Sequence, residues 1–188
     1  MDQESKPSVQ SVDGEMVAKK SSSSSNGVMW FIELVIRVLA LGGTLAAAIV
    51  VGRDKQTVNV FGVALKAKYT YSAAFVFFVV ANAIACVYVF LSLPFALLKP
   101  KSHVAIKFVV FFLDLVMVAL VMAGASAATA IAYVGHKGNS HTKWSAICNP
   151  FDRFCDHIGG ALVASFISFI LFMLLTIISA VSLYKHSH

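Results

Sequence analysis

The chain has 188 residues, of which 59% are hydrophobic and 13% charged. An average soluble domain is about 45–50% apolar and about 25% charged, and a water-soluble fold of this size leaves too much surface exposed to hide such an excess. That composition excludes an ordinary soluble enzyme domain. The net charge of +6 does not point to nucleic acid either, because the 15 Lys and Arg residues are scattered between long uncharged runs.

Residues 1–27 are polar and mixed in charge, and they end in the run Ser21 to Ser25. This composition predicts a disordered cytoplasmic tail whose serines are open to phosphorylation. No apolar core lies near Met1, so the segment does not read as a secretory signal. From residue 28 to 184 the chain reads as a four-helix transmembrane domain. Four stretches meet the criterion of about 18 apolar residues with few charges. They are about Val28 to Val51, Tyr71 to Leu98, Phe108 to Val134 and Ile158 to Tyr184. A run of about 27 residues at 1.5 Å each makes a helix of about 40 Å, longer than a hydrocarbon core of about 30 Å, so tilt or projection is expected. Helix is the expected state because an unclosed strand leaves backbone groups unpaired in lipid. Residues 185–188 form a short tail on the same side as the N-terminus. The predicted fold is an all-α four-transmembrane-helix bundle with both termini cytoplasmic.

The charge rule for orientation is silent, since seven Lys and Arg residues fall on each side and Arg37 lies within a span. Cysteines break the tie. Cys148 and Cys155 stand in the last loop with six residues between them, a spacing that can close a short disulfide ring in an oxidising compartment. That places the loop outside and the tight turn Lys99-Pro100-Lys101 in the cytoplasm.

Two residues inside the spans carry most of the information. Placing an ionised side chain near mid-membrane costs at least about 2.5–3.5 kcal/mol, so such residues face the bundle and pair. Arg37 lies about nine residues into span one and Asp114 about six into span three, depths of about 14 and 9 Å from the same surface. The leading reading is a buried bidentate Arg37–Asp114 pair that fixes which helices are neighbours. Local pairing with Glu33 one turn earlier, or snorkelling of Arg37, stands beside it. A proton-relay role for Asp114 in a transporter is a third reading, although spans two and four offer mainly Asn82 and scattered serines and threonines as a path.

Small residues recur four apart on span three, as Ala119-Ala123-Ala127 and Gly124-Ala128-Ala132. Gly43 and Ala47 on span one, and Gly160, Ala164 and Ser168 on span four, follow the same pattern, which lets helices approach closely. The row Phe75, Phe78, Asn82 on span two is expected to face lipid or a partner subunit, and Pro94 to bend the end of that helix. In the last loop Trp144, Phe151 and Phe154 form an aromatic surface, either for recognition or for interfacial anchoring. A metal site is a further option, since His136, His141, His157, Cys148 and Cys155 crowd this loop, but none has zinc-finger spacing. No GxGxxG, Walker, HExxH or nucleophile-elbow motif occurs, and no N-x-S/T sequon. No enzyme activity, cofactor or metal is expected.

Arg37 in span one, Asp114 in span three and the loop pattern Trp144-x-x-Ile147-Cys148-x-x-Phe151-x-x-Phe154-Cys155, with the stretch Phe75 to Ala85, are together informative. They resemble the plant Casparian strip membrane domain protein family, in particular its CASP-like branch, which is related to the four-span MARVEL proteins. The likeness covers roughly Trp30 to Tyr184. It implies a multi-pass plasma-membrane protein with cytoplasmic termini that associates with itself and with related family members as homodimers, heterodimers or larger assemblies. In that family such assemblies form an immobile platform that recruits secreted enzymes modifying the cell wall. The members that build the Casparian strip carry a phenylalanine-rich signature in the first outer loop, and here the loop Gly52 to Gly62 lacks it. The expected function is a non-enzymatic, oligomerising membrane scaffold, with the lipid bilayer, its own kind and recruited cell-wall enzymes as partners. The alternatives are a small transporter or channel using Asp114 and a MARVEL-like vesicle-trafficking protein.

Overall fold

The computed structural model describes residues 10–60, 63–97, 104–138, 141, 146, 148 and 151–187. Its elements run in the order α1 (Gln10–Arg53), β1 (Lys55–Val60), β2 (Val63–Lys68), a single 3-10 turn (Tyr69–Tyr71), α2 (Ala73–Leu97), α3 (Val104–Lys137) and α4 (Asp152–Ser187). The membrane-compatible parts of the four helices are Gly27–Arg53, Ala73–Pro94, Ala105–Lys137 and Asp152–Tyr184. They contain the four spans read from hydropathy, give or take a few residues at the ends.

Two segments differ from the sequence expectation. Helix α1 begins at Gln10, so the polar stretch expected as a disordered tail is helical for most of its length. Propagating an existing helix adds one hydrogen bond per residue fixed and needs no new nucleus, which favours extension upstream of a stable apolar helix. The loop between α1 and α2, for which hydropathy suggests no element, contains an antiparallel two-stranded ribbon with Lys55 opposite Lys68 and Val60 opposite Val63. Its Thr57, Val58, Val60 and Val63 are β-branched residues, which suit a pleated surface. Trp144 and the Lys99-Pro100-Lys101 turn lie outside the described residues.

The helices form a ring in which α1 packs on α2 and α4, and α3 packs on the same two. Helices α1 and α3 therefore face each other across one diagonal, and α2 and α4 across the other. Neighbours run antiparallel: near one end Ala47 and Val51 pack with Phe75, Phe78, Ile158 and Leu162, and near the other Ala40 packs with Ala85, Val89, Phe172 and Leu175. The start of α1 and the end of α4 consequently lie together, at the end opposite the hairpin. Only 28–33% of the most apolar stretch of each span is buried inside the bundle, leaving broad apolar faces outward.

Those interior positions correct one expectation. Phe75, Phe78 and Asn82 point into the bundle and are buried, not turned to lipid. Of the two small-residue rows on α3, Gly124 and Ala128 are buried, whereas Ala119 and Ala123 are exposed. A Cβ on Gly124 would stand 3.0 Å from the Ala81 methyl of α2, and one on Gly43 would overlap the Ser168 hydroxyl of α4. Glycine at these two positions thus sets how near the neighbouring helices come. Gly160, by contrast, has open space around it.

Gly124→Leu is expected to destabilise the bundle by about 1–3 kcal/mol through overpacking. Gly42→Leu, where nothing lies within 4 Å, should be neutral. Unfolding in mixed micelles followed by circular dichroism measures both.

Candidate functional site

Among the described residues, the buried polar ones are Arg37, Thr44, Asn82, Asp114, Ser165 and Ser168. They fall at two levels of the bundle. At the level nearer the termini, Arg37 and Asp114 are almost fully buried, at 1% and 0% exposure. The guanidinium forks onto the carboxylate: Nη2 donates to Asp114 Oδ2 at 3.2 Å and Nη1 to Oδ1 at 3.4 Å. Nε and Nη2 also donate to Glu33 Oε1 at 3.3 and 3.2 Å, and Nη1 donates to Ser92 Oγ at 3.0 Å. Five contacts thus serve the five N–H groups that a guanidinium offers.

Asp114 is equally engaged. Besides the two bonds from Arg37, it accepts the Tyr88 hydroxyl at 2.6 Å on Oδ1 and the Ser179 hydroxyl at 3.4 Å on Oδ2. Four donors meet the four lone-pair sites of a carboxylate. The contributing residues come from every helix: Glu33 and Arg37 from α1, Tyr88 and Ser92 from α2, Asp114 from α3 and Ser179 from α4. Two sequence readings change as a result. Pairing with Glu33 and pairing with Asp114 occur together, so they are not alternatives. The Arg37–Asp114 contact also does not define neighbours; it crosses the diagonal between helices that scarcely pack on each other.

Asn82 makes the matching contact on the other diagonal. Its Nδ2 donates to Phe78 O at 2.9 Å, and its Oδ1 accepts Ser165 Oγ of α4 at 3.0 Å. Asn82 precedes Tyr88 by six residues, about 9 Å along the helix. Thr44 satisfies its hydroxyl on its own turn, at Ala40 O.

Tyr88, Ser92 and Ser179 were not legible as site residues, because hydroxyls are common in spans and neither charge nor motif marks them. Their common signal is position. Each stands in the half of its helix nearest the termini, level with Arg37 and Asp114.

At the opposite end Cys148 and Cys155 form a disulfide. Their sulfurs are thereby withdrawn from any metal site, and no group of three or more His, Cys, Asp or Glu able to hold a metal occurs among the described residues. Of the expected aromatic surface, Phe151 is buried and Phe154 is half-buried, meeting Phe75 edge-on at 6.4 Å. These two rings pack inward instead of presenting an open patch. The hairpin is fastened here as well. Gln56 Oε1 accepts the Phe154 backbone N–H at 2.9 Å, and His157 Nδ1 lies 3.4 Å from Asp54 Oδ2.

This geometry defines a four-span membrane protein whose helices are keyed together by a buried ionic network and capped by a disulfide-closed loop. The match to known proteins is specific. Residues 26–171 match the Casparian strip membrane protein domain, and the chain belongs to that family. It is 43% identical to Casparian strip membrane protein 1 of Panicum virgatum over 157 residues, which cover 81% of this chain and 85% of the relative. It is 46% identical to CASP-like protein 1F1 of Vitis vinifera over 149 residues, covering 78% of this chain and 72% of the relative. No solved structure matches the chain.

Substitutions in the network have a definite expected order. Arg37→Met leaves a buried carboxylate uncompensated and should cost about 3–5 kcal/mol. Tyr88→Phe removes a bond to a charged acceptor and should cost about 1.5–3 kcal/mol. The double variant Arg37→Met with Asp114→Leu should be more stable than Arg37→Met alone. An exchange of the two charges should rescue less well, because it would set a second carboxylate beside Glu33. Unfolding titrations of the purified variants give this ranking directly.

Proposed function

We propose that this protein is a non-enzymatic scaffold of the plasma membrane, with both termini cytoplasmic, that associates laterally with copies of itself and with related family members to hold a membrane domain in place. The observation that carries the reading is the closed polar network. Arg37 and Asp114 spend their hydrogen-bonding capacity on each other and on four further side chains, an arrangement that rigidifies a bundle. A rigid core with apolar outer faces suits a unit that assembles within the bilayer. The exposed pair Ala119 and Ala123 on α3 offers one face for close approach between copies.

Family membership supports the scaffold role, since relatives bear the name Casparian strip membrane protein. The disulfide supports the orientation, because such bonds persist in oxidising compartments and not in the cytosol. Recruitment of cell-wall-modifying enzymes to the outer end completes the proposal.

Photobleaching of the tagged protein at the surface of living cells tests it. A scaffold should stay in stable patches whose fluorescence recovers slowly and incompletely. Rapid full recovery, or residence in moving vesicles, would overturn the reading.

A further inference from the structure

The hairpin joins the bundle through Asp54, the single residue between α1 and β1. Its carboxylate is turned inward. The side chain is only 12% exposed, and Oδ2 is enclosed yet accepts no hydrogen bond. Among the described residues its one ionic neighbour is His157, in the second turn of α4, whose Nδ1 stands 3.4 Å from that oxygen. The imidazole is 58% exposed, so protons reach it directly from solvent.

An enclosed carboxylate oxygen without a hydrogen bond is costly unless a positive charge stands beside it. Here that charge exists only while His157 is protonated, and histidine is the side chain whose charge changes between about pH 5 and 8. The surrounding groups do not replace it. Arg53 and Lys55 flank Asp54 in the chain but are exposed, and Lys68, opposite Lys55, is half-buried. On α4 itself Asp152, Arg153 and Asp156 are exposed, as are His136 and Lys137 at the end of α3 and His141 just beyond it. Among the described residues none of these makes an ion pair with Asp54 or His157 within 4.0 Å. Lysine, arginine and aspartate ordinarily keep their charge across this range, which leaves the histidines to change, and of these only His157 meets Asp54.

Position gives the pair its consequence. Two residues beyond Asp54, Gln56 Oε1 accepts the backbone N–H of Phe154, three residues before His157. The root of the hairpin is thus held to α4 by one contact that is indifferent to pH and one that is not. We propose that Asp54 and His157 form a pH-sensitive latch, which docks the hairpin on the start of α4 when His157 is protonated and loosens it as the imidazole loses its charge. Lowering the pH toward about 5 closes the latch; raising it toward about 8 leaves the carboxylate uncompensated, so the hairpin gains by opening and letting water reach Asp54. At lower pH still, protonating the carboxylate removes the attraction in turn. The opening is local, because the disulfide and the Phe75–Phe154 contact continue to hold the start of α4. The latch reads the pH of whichever compartment lies at this end of the bundle, so it depends neither on the orientation nor on the scaffold role proposed above.

Amide hydrogen exchange, read by mass spectrometry on the full chain in nanodiscs and corrected for the intrinsic pH dependence of exchange, tests the latch. The two conditions are about pH 5.5 and about pH 7.5, either side of the ordinary histidine value. Protection of segment 54–60 and of Phe154 should fall about two- to fivefold at the higher pH, the range of an ion pair with one partner in solvent. His157→Gln should show the lower protection at both. His157→Arg, which keeps a positive charge, and Asp54→Asn, which no longer needs one, should both lose the pH dependence and stay protected at the higher pH. Circular dichroism and an intact disulfide establish that each variant is folded. Equal protection of the natural chain under the two conditions, a pH dependence that survives in His157→Gln, or a loss at the higher pH that extends into α2 and α3 would each overturn the proposal.

Discussion

The contact between Arg37 and Asp114 sets the terms for the whole bundle. A buried guanidinium and a buried carboxylate are tolerable in a lipid-surrounded core only when every N–H and every lone pair is met. Meeting them takes Glu33, Ser92, Tyr88 and Ser179 at particular heights on particular helices. A helix displaced by one turn along its axis moves by about 5.4 Å, enough to break these bonds. The charges therefore act as a register device, penalising alternative packings more than they stabilise the chosen one. Crossing the α1–α3 diagonal makes that device global, because the two remaining helices must close around it.

Asn82 with Ser165 repeats the principle, at lower stakes, on the α2–α4 diagonal. Between and beyond these polar levels lie two apolar clusters, one around Phe78 and Leu162 and the other around Phe172 and Val121. Lipid tails are as apolar as leucine, so packing and hydrogen bonds, not the hydrophobic effect, must hold such helices together. That is why small residues matter where they do. Gly43 admits the Ser168 hydroxyl and Gly124 admits Ala81, and each lets a neighbouring pair of helices approach closely.

The end opposite the termini is built on different physics. A covalent ring, an edge-on aromatic pair and a backbone-to-glutamine hydrogen bond assemble the hairpin and the start of α4 into one cap. The chain thus separates its tasks: an ionic key near the termini, a packed middle, and a disulfide-closed cap at the far end.

Hydropathy by itself determined four helices, their approximate limits and the antiparallel course of the chain, because a membrane admits no span whose backbone groups are unpaired. Scarcity did the same for Arg37 and Asp114, since an isolated charge in a span must find a partner. Family likeness was legible too, in the last-loop pattern from Trp144 to Cys155. Only the tertiary structure decided that Phe75, Phe78 and Asn82 face inward, that the ion pair spans a diagonal, and that Tyr88, Ser92 and Ser179 complete it. It also revealed the hairpin, whose short alternation carries little weight beside long apolar runs. The reason is common to all of these. In a soluble protein the apolar face marks the inside, but a helix in lipid is apolar all round, so which side faces its neighbours is settled by shape and hydrogen-bond matching between helices.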